Sequence, residues 1–440
     1  MQRAFVPLMG LALVSLLLFV GTPSQQKIHT PLFSGTPLSA GGPEDPDARA
    51  RFEWERLQDP ATGDIPKNMR MRELAYAQSL PQKADRSGYT FAPMGPWNVG
   101  GRTRAFGVDV NNEDHLLAGG VSGGMWQSTD GGQSWTKTTA PADHHSSTCL
   151  IQDTRPGKTD IWYYGSGEVI GNSASASFSA NYLGNGLYKS TDNGQSWTSL
   201  PATVTGDPQA TDPWDLIWDV VIDASNTTED ELYAAANGKV FRSIDGGTSW
   251  TEVLGSSGLL STFMDLAITS TGVVYATLSS NGASAGVWRS PDGINWTQID
   301  QGINNFPGTY GRLLLAVNPQ NENSILMMGN TPGSGLLTNV FFSSTAWTSL
   351  WKYVYKTGDG SGSDGTWTDY SANLPNNLGV FGNFYSQGSY DLALAYKPSD
   401  TNTVFIGGTN LYRSTDGFTT PNNISWVGGY EPVPTPLYFF

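Results

Sequence analysis

A short motif that recurs along the chain constrains its fold more than any other feature of the sequence. An aromatic residue, a long polar residue and a Ser or Thr precede an aspartate–glycine turn, and a Trp follows. The turn aspartates and their tryptophans are Asp130 with Trp135, Asp192 with Trp197, Asp245 with Trp250, Asp292 with Trp296, Asp359 with Trp367, and Asp416 with Trp426. The Asp359 copy is degenerate, and an insertion separates Asp416 from its Trp. Repetition of this kind predicts an array of equivalent structural units.

The residue types of the motif are those of a tight β-hairpin. An aspartate at such a turn accepts hydrogen bonds from backbone N–H groups, and the glycines suit the positive φ that the turn requires. The Trp that follows can pack across the hairpin. We therefore expect the turn aspartates to be structural, with their carboxylates committed to the turn: Asp130, Asp192, Asp245, Asp292 and Asp416.

The spacing of the copies sets the size of the repeating unit. Asp130 and Asp416 are 286 residues apart over five intervals, about 57 residues per unit, which is near the length of a propeller blade. In the third unit the pattern predicts four strands, at residues 219–223, 231–235, 240–244 and 249–253. The same count elsewhere predicts an all-β fold, a β-propeller of six four-stranded blades preceded by a short helical segment.

These copies resemble the Asp-box (BNR) repeats of sialidases, sortilin-type propellers and xyloglucanase-like glycosidases. Two stretches ahead of the first copy, Arg56–Pro66 and Asn98–Arg104, resemble more specifically the large secreted bacterial propellers that are grouped with the sortilin N-terminal propeller. The resemblance covers roughly residues 46–430 and implies the propeller fold. Its implication for function is broad, because propellers host many activities.

The N-terminal residues predict export. Residues 1–24 combine a basic start with an almost wholly apolar run and then small residues, as a cleaved signal peptide does. The alternative is an uncleaved membrane anchor, and Pro7, Gly10 and the modest length of the run disfavour it. We predict a secreted protein, extracellular or at the cell surface, with no membrane insertion after cleavage.

The remainder divides by composition. Residues 25–45 are rich in Pro, Gly, Ser and Thr and are predicted to be a flexible linker. Residues 46–90 are predicted to be a helical lead-in, with two short helices separated by Pro60 and Pro66. Residues 91–440 are predicted to form the propeller.

Charge and cysteine content narrow the possible partners. Cys149 is the single cysteine, so no intrachain disulfide can form. With 39 acidic and 24 basic residues the net charge is −15, and such a chain repels nucleic acid and anionic membranes. The predicted partner is an extracellular polysaccharide or polypeptide.

The C-terminal residues leave two interpretations open. After Trp426 the chain passes three prolines and reaches the apolar residues 437–440. One hypothesis is a fragment of a larger propeller with at least one blade missing, since long open sheet edges risk aggregation. The alternative is a closed six-bladed ring in which residues near 89–93 complete the last sheet.

The face opposite the aspartate turns carries the long loops. These are residues 165–186, 201–214, 329–351 and 370–389. Long loops in a compact repeat are frequently functional. Their aromatic residues suit the apolar faces of sugar rings, and equally a peptide; the candidates for ligand binding are Trp214, Trp218, Phe381, Phe384 and Tyr385.

Aligning the innermost strands places six residues at one equivalent position, each at the start of an apolar run. They are Arg104, Thr148, Asp219, Asp265, Arg312 and Asp391. Because inner strands surround the central channel, we expect these side chains, here called the channel ring, to encircle its mouth on the long-loop face. Their charges either form salt bridges that close the channel or perturb one another's pKa values for catalysis.

Catalysis in this ring would take the form of a glycosidase pair. Asp219 and Asp265, on adjacent blades, are the candidate proton donor and base or nucleophile, with Asp391 and Glu168 as further candidate carboxylates. Arg104 and Arg312 are candidate ligand-binding residues.

Sialidase chemistry is disfavoured. That family requires three arginines, a Tyr/Glu pair and an Arg-Ile-Pro motif; Arg-Ile-Pro is absent, and a third arginine beside Arg102 or Arg104 and Arg312 is not evident. We predict no metal site and no cofactor, with calcium at residues 359–365 or 109–114 and a transition metal at residues 143–145 as weak alternatives.

The sequence thus favours an extracellular glycan- or protein-binding module that uses its long-loop face. The alternative is a xyloglucanase-like glycoside hydrolase that uses the carboxylates at the channel mouth.

Overall fold

The structure is a computed structural model. It describes residues 46–80 and 101–430, apart from residues 142, 169, 171–181, 209–211, 256–257, 259, 305, 340–344 and 377–381. The predicted signal peptide and linker, together with the segment around residues 89–93 and the last ten residues, lie outside this part of the chain. The chain separates into two compact units, Met1–Glu53 and Trp54–Phe440, and the propeller belongs to the second.

Two helices come before the propeller in sequence, α1 (Pro46–Leu57) and α2 (Met69–Ser79). They lie on either side of Pro60 and Pro66, which agrees with the predicted pair of short helices. No residue of α2 is buried. Within the described residues, no helix combines the length and the apolar character needed to cross a membrane.

Six antiparallel sheets follow, and they confirm the predicted six-bladed propeller. Blades 1 to 3, from the innermost strand outwards, are β1 (Thr103–Asp109), β2 (Asn112–Gly120), β3 (Gly124–Ser128), β4 (Thr136–Lys137); β5 (Cys149–Gln152), β6 (Trp162–Gly165), β7 (Leu187–Ser190), β8 (Thr198–Ser199); and β9 (Ile217–Ile222), β10 (Leu232–Ala236), β11 (Lys239–Ser243), β12 (Thr251–Leu254). Each strand of blade 3 begins and ends within two residues of its predicted bounds.

Blades 4 and 6 repeat this order, and blade 5 has an additional strand; the strands of each blade are given in chain order. Their strands are β13 (Met264–Ile268), β14 (Val274–Leu278), β15 (Gly286–Ser290), β16 (Thr297–Gln298); β17 (Leu313–Val317), β18 (Ser324–Asn330), β19 (Leu336–Asn339), β20 (Thr345–Tyr355), β21 (Gly365–Asp369); and β22 (Ala393–Lys397), β23 (Asp400–Gly407), β24 (Asn410–Ser414), β25 (Ile424–Gly429). Short 3₁₀ helices lie at Pro201–Thr203, Pro213–Asp215, Asp300–Gly302, Gly362–Asp364 and Ser371–Asn373.

Blade 5 differs from the predicted four strands. The eleven-residue strand β20 pairs with β19 through its first half and with β21 through its second half, so this blade has five strands. The region from 329 to 351, predicted as a long loop, therefore contains β19 and part of β20. The threonines and aromatic residues of this region favour strands. The prediction missed them because it counted strands from the repeated motif.

Apolar side chains alternate between the two faces of each blade, and this alternation builds the core. In β10, Leu232, Ala234 and Ala236 pack against blade 2, while Tyr233 and Ala235 pack against blade 4. A fully buried side chain of the size of Leu232 contributes about 1.5–3 kcal/mol of stabilisation. The propeller is thus stabilised by contacts between the faces of neighbouring blades.

Five apolar clusters fill the junctions between consecutive blades, and we number them by the blades they join. Junction 1–2 is centred on Trp162 and Tyr164, and junction 2–3 on Tyr163 and Leu187. Junctions 3–4, 4–5 and 5–6 are centred on Tyr233, Tyr353 and Tyr412. The inner strands of these neighbouring blades contact one another in the same order around the channel.

The aspartate turns join the third and fourth strands, as predicted. Asp130 accepts hydrogen bonds from Ser134 N (2.9 Å), Ser134 Oγ (2.6 Å) and Ser128 Oγ (2.7 Å). These bonds lower the pKa of Asp130 to about 2. The other four turn aspartates accept equivalent bonds from serine, threonine or asparagine, and their pKa values are lowered as well: Asp192, Asp245, Asp292 and Asp416.

Candidate functional site

The channel ring is assembled from six blades by equivalent backbone positions. Arg104, Asp219 and Asp265 lie in the first halves of β1, β9 and β13. The other three members directly precede their inner strands or lie two residues before them: Thr148, Arg312 and Asp391. Aligning the inner strands therefore identified the same end of each one, because every inner strand begins with an apolar run.

Three ring residues hydrogen-bond to the backbone of the next blade. Asp219 Oδ2 accepts from Leu266 N of blade 4 (3.2 Å), and Asp265 Oδ2 accepts from Leu315 N of blade 5 (2.8 Å). Thr148 Oγ1 donates to Ile217 O of blade 3 (2.7 Å). These side chains therefore tie neighbouring inner strands together.

Burial changes the protonation of the two central carboxyl groups. It raises the pKa of Asp219 to about 6, against the opposing effect of the backbone N–H groups that Asp219 accepts from. Burial raises the pKa of Asp265 further, to about 8, and the charge of Asp219 adds to that rise. Burial therefore favours the neutral form at both positions, and the two carboxyl groups share their titration because they influence each other.

A cavity of about 430 Å³ opens at the channel mouth, and residues next to the inner strands of blades 1 and 6 form most of its lining. Arg102, Thr103 and Arg104 form the blade 1 side, and the segment 390–393 with Gly407 and Gly408 forms the blade 6 side. Thr148 and Arg312 complete the lining. The volume lies within the range of about 300–1,000 Å³ that is usual for small-ligand sites.

Glu168 connects three blades beside this cavity. It lies in the long loop of blade 2, and its carboxylate contacts Arg102 Nη2 at 2.7 Å and Arg104 Nη1 at 3.4 Å. Tyr390 lies just before the inner strand of blade 6, and its hydroxyl donates a hydrogen bond to Glu168 Oε1 (2.8 Å). Glu168 is 1% exposed. Its charge is therefore compensated inside the protein.

Asp391 is the ring carboxyl group that lines the cavity itself. Its pKa is raised by burial, against the opposing effect of Arg104. Four carboxyl groups were candidates for catalysis: Asp219, Asp265, Asp391 and Glu168. Of these, Asp391 lines the cavity. Asp219 and Asp265 are absent from the cavity lining.

Trp218 has a different role from the one predicted. It is 5% exposed, and the guanidinium groups of Arg104 and Arg312 lie 5.0 and 5.2 Å from its ring centroid. Such contacts are cation–π interactions. Trp218 therefore positions two arginines rather than presenting a free surface for a ligand.

The other predicted aromatic residues are distributed between core and loop. Trp214 packs against Phe241 and Trp250, with ring centroids 4.5 and 5.2 Å away, at junction 2–3. Phe384 is fully buried at junction 5–6, which corrects its prediction as a candidate for ligand binding. Tyr385 is partly exposed, and Phe381 lies outside the described residues.

The structure brings no set of metal ligands together at the weak candidate sites of the described residues, 109–114, 143–145 and 359–365. Among the described residues, no three His, Cys, Asp or Glu side chains come together as a metal site. Asp109 instead accepts hydrogen bonds from Gln152, Asn193 and the Asn111 backbone. Cys149 is buried, and its thiol pKa is raised well above the usual value by that burial, so it is not an activated nucleophile.

Tyr390 is the residue that the sequence analysis missed. It lies 222 positions from Glu168 in sequence, and the two meet only because blades 2 and 6 both border the channel mouth. The available signal was its position directly before the ring residue Asp391. The structure also places Arg102, Arg104 and Arg312 together, so the third arginine that the sequence did not reveal is present at the cavity.

Comparison with known proteins agrees with this architecture. Residues 215–419 match the DUF6242 β-propeller domain. A xyloglucanase of Acetivibrio thermocellus is 28% identical over 265 residues, which are 54% of this chain and 29% of that protein. A Paenibacillus xyloglucanase is 26% identical over 309 residues, 60% of this chain and 28% of that protein.

The chain is a β-propeller whose sequence is similar to part of two xyloglucanases. It spans less than a third of the length of these curated relatives. The crystal structure of an ancestral GH74 enzyme superposes with a TM-score of 0.51 at 18% identity, covering 74% of this chain and 40% of that one. At that identity the superposition supports the fold alone.

Proposed function

We propose that the protein is exported and acts as an extracellular binding propeller, which engages a glycan or polypeptide through its long-loop face. The cavity at the channel mouth is the centre of this binding face. One observation carries the proposal: arginine, threonine and tyrosine side chains line the cavity with a single carboxyl group, Asp391, whereas Asp219 and Asp265 are outside the lining and are held in hydrogen bonds between blades.

The geometry of those two carboxyl groups supports binding over hydrolysis. A general acid or base must reach the proton it transfers within hydrogen-bond distance of the substrate. Asp219 accepts from Val220 N (2.8 Å) and Leu266 N, one bond to each oxygen, so neither oxygen faces a substrate. A glycan in the cavity would contact Asp391 before either of them.

The relationship to xyloglucanases supports a glycan ligand in particular. Because the chain spans less than a third of those relatives, their activity is not carried over with the fold. Export is supported by the predicted signal peptide. The aspartate turns lie at the opposite ends of the blades, so they do not compete for the same ligand.

A glycoside hydrolase is the second candidate, and a specific observation favours it. Tyr390 donates to Glu168 beside three arginines, and Asp391, whose pKa is raised, lines the same cavity. A tyrosine–glutamate pair with three arginines is the set of residue types that sialidases require. Asp391 would be the proton donor of such a site.

The test measures binding and product release on the same samples. Wild-type protein is incubated with plant, algal and sialylated glycans; binding is measured by calorimetry and cleavage by the release of reducing ends. The variants are Asp219→Asn, Asp265→Asn, Asp391→Asn and Glu168→Gln, with Lys356→Ala, an exposed site on the aspartate-turn side, as control.

Binding without product release is the expected result. Release that disappears in Asp391→Asn and Glu168→Gln would establish the hydrolase and place its site at the cavity. Release that disappears in Asp219→Asn and Asp265→Asn would assign catalysis to the adjacent-blade pair. A folded protein that neither binds nor cleaves any member of the panel would overturn the proposal.

A further inference from the structure

Blade 1 has one covered face and one uncovered face. Its covered face packs on blade 2, with Ala105 and Met125 in junction 1–2. On the opposite face Phe106 is 58% exposed and Trp126 is 38% exposed, and Val108 is exposed as well. Among the described residues, none of the five junctions includes these three side chains. We call this second surface the open face of blade 1.

The strand register sets the arrangement of the aromatic residues on the open face. Phe106 of β1 is opposite Ala118 of β2, and Ala118 is opposite Trp126 of β3. Neighbouring strands lie about 4.8 Å apart, so the two aromatic residues are about 10 Å apart along this row. The row is therefore a flat strip with an aromatic ring on each side of a methyl group.

The corresponding row of every other blade packs on the preceding blade and differs at the inner strand. Its residues on the third strand from the channel are aromatic, as Trp126 is: Tyr188, Phe241, Trp288, Trp351 and Tyr412. Its inner-strand residues are aliphatic: Leu150, Val220, Leu266, Leu315 and Leu394. Blade 1 alone among the six described blades has an aromatic residue, Phe106, at this position. Since an aliphatic residue suffices to fill a junction, the phenyl ring of Phe106 indicates a role other than packing between blades.

The charge of the open face favours a neutral ligand. Its two central rows contain no acidic side chain; they are Phe106, Ala118, Trp126 and Lys137, and Val108, Leu116 and Ser128. The whole chain has a net charge of −15, so it repels an acidic polymer. Lys137, exposed at the outer end of its row, adds hydrogen-bond donors for hydroxyl groups.

The strand β1 connects the open face with the cavity at the channel mouth. Thr103 and Arg104, at the start of β1, line the cavity, and Phe106 lies two residues further along the same strand. Phe106 and Trp126 are themselves outside the cavity lining. The open face is therefore a second surface, separate from the cavity and continuous with it.

We propose that the open face of blade 1 binds a neutral β-1,4-linked polysaccharide, with alternate sugar rings stacked on Phe106 and Trp126. In such an extended polymer successive rings are turned over, so alternate rings present the same apolar C–H face. Aromatic side chains offer a large, rigid apolar surface for such contacts. This inference rests on the proposed glycan-binding function and adds to it a second surface with its own ligand class.

The experiment measures how much full-length protein is removed from solution by insoluble cellulose and by insoluble β-mannan, with α-linked starch granules as the comparison polymer. The variants Phe106→Leu and Trp126→Leu remove one ring each and keep an aliphatic side chain. Phe106→Tyr keeps the ring. Trp426→Leu is the matched control, because Trp426 of blade 6 is 39% exposed, close to the 38% of Trp126.

We expect the wild type to bind a β-1,4-linked polymer more tightly than starch. Phe106→Leu and Trp126→Leu should each weaken that binding by about twofold to tenfold, since an aromatic contact contributes more than its buried area. Phe106→Tyr and Trp426→Leu should bind as the wild type does. Circular dichroism of every variant confirms that the fold is kept.

The outcomes separate this inference from the proposed binding function. Binding of a β-1,4-linked polymer that neither leucine variant at the open face weakens would overturn this inference and leave the binding function standing. Equal binding to starch would overturn the ligand class. If no polymer binds and Phe106→Ser abolishes a self-association seen in analytical ultracentrifugation, the open face contacts a second copy instead. Absence of binding to every polymer and to every glycan of the panel above would overturn both proposals.

Discussion

Blades 1 and 2 carry almost the same turn and place its tryptophan in different surroundings. Residues 128–135 and 190–197 differ at one of eight positions, Gly131 against Asn193. Their turn hydrogen bonds agree within about 0.1 Å. Trp135 is nevertheless 38% exposed, whereas Trp197 is 7% exposed.

The neighbouring blade accounts for the difference. Trp197 packs edge-on against Tyr164, with ring centroids 4.8 Å apart, and its Nε1 donates to Thr138 Oγ1 of blade 1 (2.9 Å). Trp135 Nε1 donates instead to Gly132 O within its own turn. The turn conformation is therefore a local property, while the burial of the tryptophan depends on a second sheet.

Blades 1 and 6 show the same contrast between a face that a neighbouring blade covers and a face that is exposed. The face of blade 1 directed towards blade 2 is buried, while Phe106 on the opposite face is 58% exposed and Val108 is exposed as well. On blade 6, Leu411 and Val427 are exposed. Among the described residues, five junctions have an apolar core, whereas blades 1 and 6 share the lining of the cavity.

The largest effect is expected where a junction is filled. Trp162 is 1% exposed in junction 1–2, and its Nε1 donates to Asn193 Oδ1 (2.6 Å). Trp162→Ala should lower the free energy of unfolding by about 3–5 kcal/mol, because it leaves a cavity and an unpaired amide. Urea denaturation followed by circular dichroism measures this, and a loss below about 1 kcal/mol would contradict the packed junction.

The turn tryptophans test the comparison directly. Trp197→Ala should cost about 3 kcal/mol of unfolding free energy and Trp135→Ala about 1 kcal/mol or less, since the cost follows the buried area. The two turns are matched in sequence, so each variant is the control of the other. Urea denaturation measures both losses. Equal losses of unfolding free energy would show that Trp135 is as buried as Trp197, which would contradict the comparison.

Protonation at junction 4–5 gives a pH-dependent effect. The folded-state pKa of Asp265 is raised by burial to about 8, so between about pH 4 and pH 8 the folded state binds more protons than the unfolded state. The free energy of unfolding should therefore fall as pH rises through this range. Asp265→Asn, which keeps an oxygen for Leu315 N, should remove that part of the slope.

Denaturation of the wild type and Asp265→Asn at pH 5, 7 and 9 measures the change, with the exposed Asp64→Asn as control. Identical slopes for the wild type and Asp265→Asn would show that Asp265 titrates as an ordinary carboxyl group.

The smallest effect is expected on the exposed face of blade 1. Phe106→Ser removes a large apolar side chain that is more than half exposed, so it should change the unfolding free energy by less than about 1 kcal/mol. Thermal unfolding with Ala105→Ser, on the buried face of the same strand, as comparison would measure it. A larger loss for Phe106→Ser than for Ala105→Ser would show that this face is packed.

Much of the fold was predictable because its signals are local. The turn aspartates, their serine partners and the spacing of the copies specify hairpins, and repeated hairpins predict blades. The bounds of β9 to β12 and the equivalent positions of the channel ring followed from the same repeat. The extra strand β19 was missed because it lies outside the repeated motif.

The site was predictable only in part. The sequence located Arg104, Arg312 and Asp391 at one end of the inner strands, but it assigned Asp219 and Asp265 to catalysis. Their bonds to Leu266 N and Leu315 N depend on how closely neighbouring inner strands approach. That distance has no signature in a single strand.

What the sequence by itself determined is the repeating hairpin, the six repeat units and the position that each unit contributes to the channel. What only the tertiary structure decided is which of those side chains meet. Glu168, Arg104 and Tyr390 form one cluster, and Trp135 and Trp197 differ in burial, because packing between blades joins residues far apart in the chain. Hydrogen bonds within a turn need a few consecutive residues, whereas burial and charge compensation need a second surface.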